Sequence, residues 1–274
     1  MRTSVKYCLA LLGVLLLFLK LFRDLSAAAS DSLRPNLAND AITHAWPFFS
    51  YAKATIQSGV LPLWNPYTSL GTPFFAEIGL GLFYPLSWVT LLTDVPSALL
   101  LIQFLTVAIG MAGMYGYMRY LALEPLARFL GVALFAFAVF IESFYPTMGY
   151  SFCLMPVILW MGHRMMVTPD LRNTCLVALS LALCFLGGFP NYFIYAVLIL
   201  AVYCACLLGL SFPDIRLPGI ATRAGMTLLV VAQTLGLVAV QLLPSYELSS
   251  LSYRSLESGS AYDPDSILSL IHIS

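Results

Sequence analysis

The fold class this sequence predicts is an all-α integral membrane protein, and three observations carry that reading. Hydrophobic residues make up 60% of the 274-residue chain, charged residues only 9%, and the mean hydropathy is +0.89. A soluble domain carries about a quarter charged residues, so the composition argues strongly against one. Apolar stretches near the length of about 20 residues that a membrane-crossing helix needs recur along the chain. Basic residues fall into alternate loops, as topology in a membrane demands. Formal net charge is zero and no basic cluster stands out, which argues against a nucleic-acid partner.

Taken in order, the first apolar segment covers residues 5–22 behind Arg2 and Lys6. Ser26-Ala27-Ala28-Ala29 would suit signal cleavage, but the many later spans favour an uncleaved helix. Further helices are predicted over residues 97–120, 126–141, 148–167, 174–186, 191–210 and 221–243, about seven in all. The helix at residues 174–186 is short and extendable in either direction. Residues 78–92 are apolar too, but Gly79, Gly81 and Tyr84-Pro85 interrupt them.

Parity decides that segment. If it does not cross, Arg119, Arg128, Arg164, Arg172, Arg216 and Arg223 share a side with Arg2 and Lys6. Eight of the thirteen basic residues then lie on one face, the cytoplasmic one by the positive-inside rule. Residues 78–92 are therefore expected as a re-entrant or interfacial segment, allowed where protein or water satisfies its backbone. The long first loop, residues 23–75, is then outside.

Within that loop Ile42, Ala45/Trp46, Phe49, Ala52 and Ile56 recur at helical spacing, predicting an amphipathic helix lying on the membrane surface. Asn39 or Asp40 suits its cap, Gly59 its end, and Pro47 should kink or restart it. Trp64-Asn65-Pro66-Tyr67 and Gly71-Thr72-Pro73 are turn chemistry beside interfacial aromatics. The six cysteines (Cys8, Cys153, Cys175, Cys184, Cys204, Cys206) sit in apolar runs without a metal-ligand spacing and read as small core residues. Leu268-Ser269-Leu270-Ile271-His272-Ile273-Ser274 matches the in-frame translation of a common sequencing adapter. Residues 268–274 are thus expected to be non-native, with 1–267 the N-terminal part of a longer membrane domain.

Chemistry should draw on the first loop. Asp40, one helical turn before His44, suits a general base on an acceptor hydroxyl or a ligand for a phosphate-bound metal; an N-cap is the plainer role. His44 alone reads first as an ordinary interfacial or buried histidine. Asp24 and Asp31 read as solvated loop charges. Glu77, beside the re-entrant segment, either faces water or has a partner, and Glu142 at a helix end is explained by snorkelling. Asn191, in Gly187-Gly188-Phe189-Pro190-Asn191-Tyr192, belongs to a tight turn and is a candidate sugar contact. Arg254 is the sole basic residue of residues 244–266, with a guanidinium suited to phosphate; a solvated arginine is the plain alternative. No P-loop, GxSxG, HExxH or zinc pattern occurs.

The set resembles the YfhO family of bacterial membrane proteins, placed with the GT-C glycosyltransferases. The resemblance is carried by Asn39-Asp40 with Pro47-Phe48, Gly59-Val60-Leu61-Pro62-Leu63-Trp64-Asn65-Pro66-Tyr67, Gly71-Thr72-Pro73 and Phe83-Tyr84-Pro85. It continues through Gly187-Gly188-Phe189-Pro190-Asn191 and Gln241-Leu242-Leu243-Pro244-Ser245 to Ser252-Tyr253-Arg254. Phe189-Pro190-Asn191 departs from the family's His-Pro-Gln, so a histidine role there does not transfer. The resemblance implies a GT-C-like enzyme of the bacterial inner membrane that transfers sugar from a polyprenyl-phosphate donor to an extracytoplasmic glycan or envelope acceptor. Asp40 would be the base, with His44, Glu77, Asn191 and Arg254 as substrate contacts and Mg or Mn as an optional aid. A polyprenyl-lipid or small-solute transporter is the alternative; it predicts charges lining several spans, whereas those here gather at helix ends.

Overall fold

The computed structural model describes residues 44–68, 70–143, 145–211 and 217–250. The first predicted helix (residues 5–22), Asp24, Asp31, Asp40, Cys8, Arg254 and the suspected adapter tail lie outside them. Among the described residues the regular structure is helical: α1 (Trp46–Gln57), α2 (Val95–Tyr120), α3 (Pro125–Glu142), α4 (Pro146–Phe152), α5 (Met155–Val167), α6 (Leu171–Leu186), α7 (Pro190–Ser211) and α8 (Leu217–Ser250). Four of these, α2, α3, α7 and α8, are long and apolar enough to cross a membrane, and α6 is a shorter apolar helix.

Proline punctuates the bundle. α1 to α5 each carry one in the first turn, where the missing N–H would have had no helical partner and φ is already set. That preference corrects one expectation. Residues 148–167 form two helices rather than one, because Pro156 starts α5 and the chain turns at Cys153-Leu154 between α4 and α5. α8 departs from the pattern: it runs through Pro244 to Ser250 instead of ending at 243. Contacts from the far side of the molecule hold its last turns, as described below.

Residues 78–92 do not form a spanning helix. They wind through the 3-10 turns Ile78–Leu80 and Pro85–Leu91, preceded by another at Phe74–Ala76, packed against the bundle. Two glycines make that docking possible. Gly81 (φ +58°) and Gly188 (φ +91°) adopt backbone that side chains disfavour, and their main chains press together. A Cβ on Gly188 would lie 2.7 Å from Gly81 N and 2.8 Å from Ile78 O; one on Gly81 would lie 2.8 Å from Gly187 O. Beside them the Tyr84 ring stacks on Tyr150 at 4.3 Å, and Ser87 Oγ donates to Gly81 O at 2.7 Å. Tyr150 is fully buried among Val139, Cys153, Ile158, Val177 and Cys184, the centre of the core. Cys153 and Cys184 are core residues as expected, but Cys175 and Cys206 are exposed on helix surfaces.

Because successive long helices reverse direction, the molecule has two ends. The loop end carries α1, the 3-10 turns and the turn at Gly187-Gly188. The opposite end carries Arg119, Arg128, Arg164, Arg172 and Arg223, at or next to the helix termini there. Arg223 Nε donates to Met166 O at 2.8 Å, tying α8 to α5. Nearby, Tyr117 donates to Tyr203 at 2.9 Å and Tyr203 meets His163 Nδ1 at 2.6 Å, linking α2, α7 and α5 through polar groups. These apolar helices are compatible with a membrane-embedded protein.

Two outcomes follow. Gly188→Ala should lower stability by about 2–4 kcal/mol, from overpacking and a strained φ. Gly236→Ala, where a Cβ meets nothing within 4 Å, should be neutral or slightly stabilising. Thermal unfolding midpoints in detergent check both. At the start of α2, Asp94 accepts a hydrogen bond from Ser97 N at 3.0 Å, which holds its carboxyl below the ordinary 3.8. A depressed carboxylate stabilises above its unfolded pKa, and that contribution is lost as pH falls through the folded one. The protection factor of the Ser97 amide, the unprotected exchange rate relative to the observed one at the same pH, should therefore fall on acidification below about pH 4, and Asp94→Asn should flatten that dependence.

Candidate functional site

α1 builds the loop end. The described α-helix has Pro47 in its first turn, where the sequence suggests a kink or restart, and stops before Gly59 as expected; the expected caps Asn39 and Asp40 lie outside the described residues. Its apolar stripe, however, faces the protein rather than a bilayer surface. Ala45 and Phe49 pack on Val95 and Leu99, and Ala52 packs on Phe74 and Leu80. The hydrophobic effect that would have driven the stripe onto lipid is satisfied by α2 and the 3-10 turns instead.

The adjacent face runs from His44, in the helical turn just before α1, to Phe48 and Tyr51 on it, spaced four and three residues apart. The His44 ring stacks on Phe48 at 6.3 Å, and Phe48 stacks on Phe74 at 5.9 Å. Tyr51 meets Phe74 edge-on at 5.1 Å and Tyr67 at 6.0 Å, and its hydroxyl donates to Trp64 O. The segment opposite is a tight hairpin: Asn65 and Thr72 exchange backbone hydrogen bonds at 2.8 and 2.9 Å. Asn65 is buried, donates Nδ2 to Thr68 Oγ1 at 2.9 Å, and accepts from Tyr67 N at 3.0 Å.

Three cavities bear on function. One of about 410 Å³ opens between α1 and the hairpin, lined by His44, Pro47, Phe48, Tyr51, Asn65, Tyr67 and Thr68. A second, about 210 Å³, lies on the other face of α1, where Phe49, Ala52 and Ile56 oppose Phe75, Phe83 and Trp88. The third, about 320 Å³ and apolar, separates α7 from α4 and α5 along Phe152, Ile158, Tyr195 and Ile199.

Of the residues singled out in the sequence, His44 lines the first cavity. Glu77 is exposed and accepts a 3.4 Å bond from Gly79 N, capping the Ile78–Leu80 turn. Asn191 is exposed in the first turn of α7, past the Gly187-Gly188 turn that packs against Gly81. Neither lines any of the three cavities. Asp40 and Arg254 lie outside the described residues. Glu142, expected only to snorkel, accepts a hydrogen bond of 2.6 Å from the Tyr192 hydroxyl.

Sequence reasoning missed the docking of α8. Gln241 is buried, with Nε2 2.8 Å from Ser245 Oγ and 3.5 Å from Phe75 O; Ser245 Oγ donates to Ala76 O at 2.7 Å. These bonds hold α8 beyond Pro244 and seat Glu77, the next residue, at the helix end. The cleft partners Tyr51, Tyr67 and Thr68 were missed as well; only the turn chemistry of Asn65-Pro66 signalled them.

Ser245→Ala leaves the buried Ala76 carbonyl short of a donor, which should cost about 1–3 kcal/mol. Hydrogen exchange over residues 74–77 should accelerate while the core around Tyr150 stays protected.

Compared with protein-family models, curated proteins and solved structures, the chain finds no match in any of the three.

Proposed function

We propose that this chain is a membrane glycosyltransferase, moving a sugar from a polyprenyl-phosphate donor to a glycan or envelope acceptor outside the cytoplasm. In this reading about seven spans form a GT-C-like bundle of the bacterial inner membrane, and residues 78–92 are its re-entrant segment. The arginine end faces the cytoplasm by the positive-inside rule, and the loop end faces outward.

One observation carries the reading: sequence blocks far apart in the chain meet at the loop end. The block around Phe83-Tyr84-Pro85 packs beside Gly187-Gly188, and Gln241 and Ser245 bond to the segment joining it to Gly71-Thr72-Pro73. Polar and aromatic side chains are concentrated there, while the long helices carry charge mainly at their ends.

Asp40 takes the proton of the acceptor hydroxyl, whose oxygen forms a bond to the anomeric carbon. The carbon–oxygen bond to the carrier phosphate breaks, and its electron pair leaves on the phosphate, with inversion at carbon. Arg254 offsets the phosphate charge. His44, Glu77 and Asn191 are assigned to substrate contacts. A divalent metal (Mg or Mn) would be an optional aid that offsets charge on the leaving phosphate.

The test is transfer from a labelled polyprenyl-phosphate sugar in membranes holding the protein. Asp40→Asn should lower transfer about 100-fold or more with the protein still folded in the membrane. Unchanged transfer would return Asp40 to a helix cap and direct the search to Glu77. No transfer by the wild type across several donors would leave lipid or solute transport in front.

A further inference from the structure

The cavity between α1 and the 65–72 hairpin has a lining that selects a narrow class of ligand. Its volume, about 410 Å³, falls within the roughly 300–1,000 Å³ of small-molecule sites. Among the described residues no Lys, Arg, Asp or Glu lines it. Its walls are aromatic, with Phe48, Tyr51 and the His44 ring on the helix side and Tyr67, 85% exposed, on the hairpin side. The His44 imidazole and the Thr68 and Tyr67 hydroxyls add polar groups able to donate and accept.

Aromatic faces beside side chains that can donate and accept hydrogen bonds match a ligand with apolar C–H faces and a hydroxyl-bearing edge. A pyranose ring has that form. A lipid chain is matched better by the cavity on the other face of α1. The hydroxyls there, Ser87 and Thr90, already donate to Gly81 O and Ser87 O, both at 2.7 Å, and the remaining lining is apolar. The His44 cleft is also built in advance. Asn65 spends its side-chain amide fixing Tyr67 and Thr68, and Tyr51 ties α1 to the hairpin through Trp64 O.

We infer that this cleft is a saccharide subsite, in which Tyr67 stacks on a pyranose ring, Tyr51 borders its edge, and His44 and Thr68 bind its hydroxyls. As the acceptor subsite it rests on the glycosyltransferase reading, since His44 lies four residues after the proposed base Asp40. As a sugar-binding cleft it stands on its own geometry.

The experiment is saturation-transfer NMR on the full chain in a sugar-free detergent. The probes are methyl β-glucoside, methyl β-galactoside and methyl N-acetyl-β-glucosaminide. At least one should receive saturation at its ring C–H protons. Tyr67→Ala, at a surface position that leaves folding intact, should weaken that binding about threefold to tenfold, and Tyr67→Phe should retain most of it. No saturation of any glycoside, or equal saturation in Tyr67→Ala, overturns the subsite. The acceptor role has a separate readout: Tyr67→Ala should raise acceptor KM more than it lowers kcat. Transfer with acceptor KM unmoved removes the cleft from the reaction and leaves the transferase reading standing. Glycoside binding without transfer from any donor keeps the cleft and removes the transferase.

Discussion

The arrangement of the loop end depends on a contact between main chains, Gly81 against Gly187-Gly188. With a side chain at either position, the 3-10 segment would stand off from the turn joining α6 and α7. Tyr84 would then lose its place over Tyr150, and Ser87 its position by Gly81 O. The backbone of residues 74–91 is held by successive short i→i+3 turns that leave groups between them for other partners, so apolar surroundings tolerate it only while packed protein closes over it. The glycines permit that closure, and the fully buried Tyr150 ring gives it a floor.

From this base α1 acquires two working faces. Ala45, Phe49 and Ala52 are buried against α2 and the 3-10 turns, while His44, Phe48 and Tyr51 face the hairpin. A helix lying on lipid would need only one apolar stripe. Here the burial of one face fixes the orientation of the other, and the cleft aromatics are held through their contacts with Phe74. The opposite end is organised by arginines at helix termini, one of them bonded across to the last turn of α5.

Much of this was legible in the sequence where local rules act. Proline and glycine marked the start and stop of α1 and the turn before α7, and parity of the basic loops kept residues 78–92 from being read as a span. The same rules misled where tertiary contacts override them. Pro156 was taken as interior to a long helix although it opens one, and Pro244 was taken as a stop although α8 passes through it. In the second case the deciding partners, Phe75 O and Ala76 O, lie in another part of the chain and leave no trace near Pro244. The stripe on α1 was read correctly as apolar, but periodicity does not say whether lipid or protein covers it. Of the candidate residues, His44 was picked for its position after Asp40, whereas its cleft partners come from a hairpin that spacing alone does not pair with it.

The α8 contacts also have a consequence for biosynthesis. Gln241 and Ser245 follow their carbonyl partners by 166 and 169 residues. While the chain is being made, Phe75 O and Ala76 O must wait for six further helices and most of α8 to leave the ribosome. Contacts of such sequence separation close slowly, because a long loop must be ordered before they return any stabilisation. The loop end therefore acquires its final shape late, after the bundle beneath it, and a nascent chain halted before residue 241 presents the same loop without that latch.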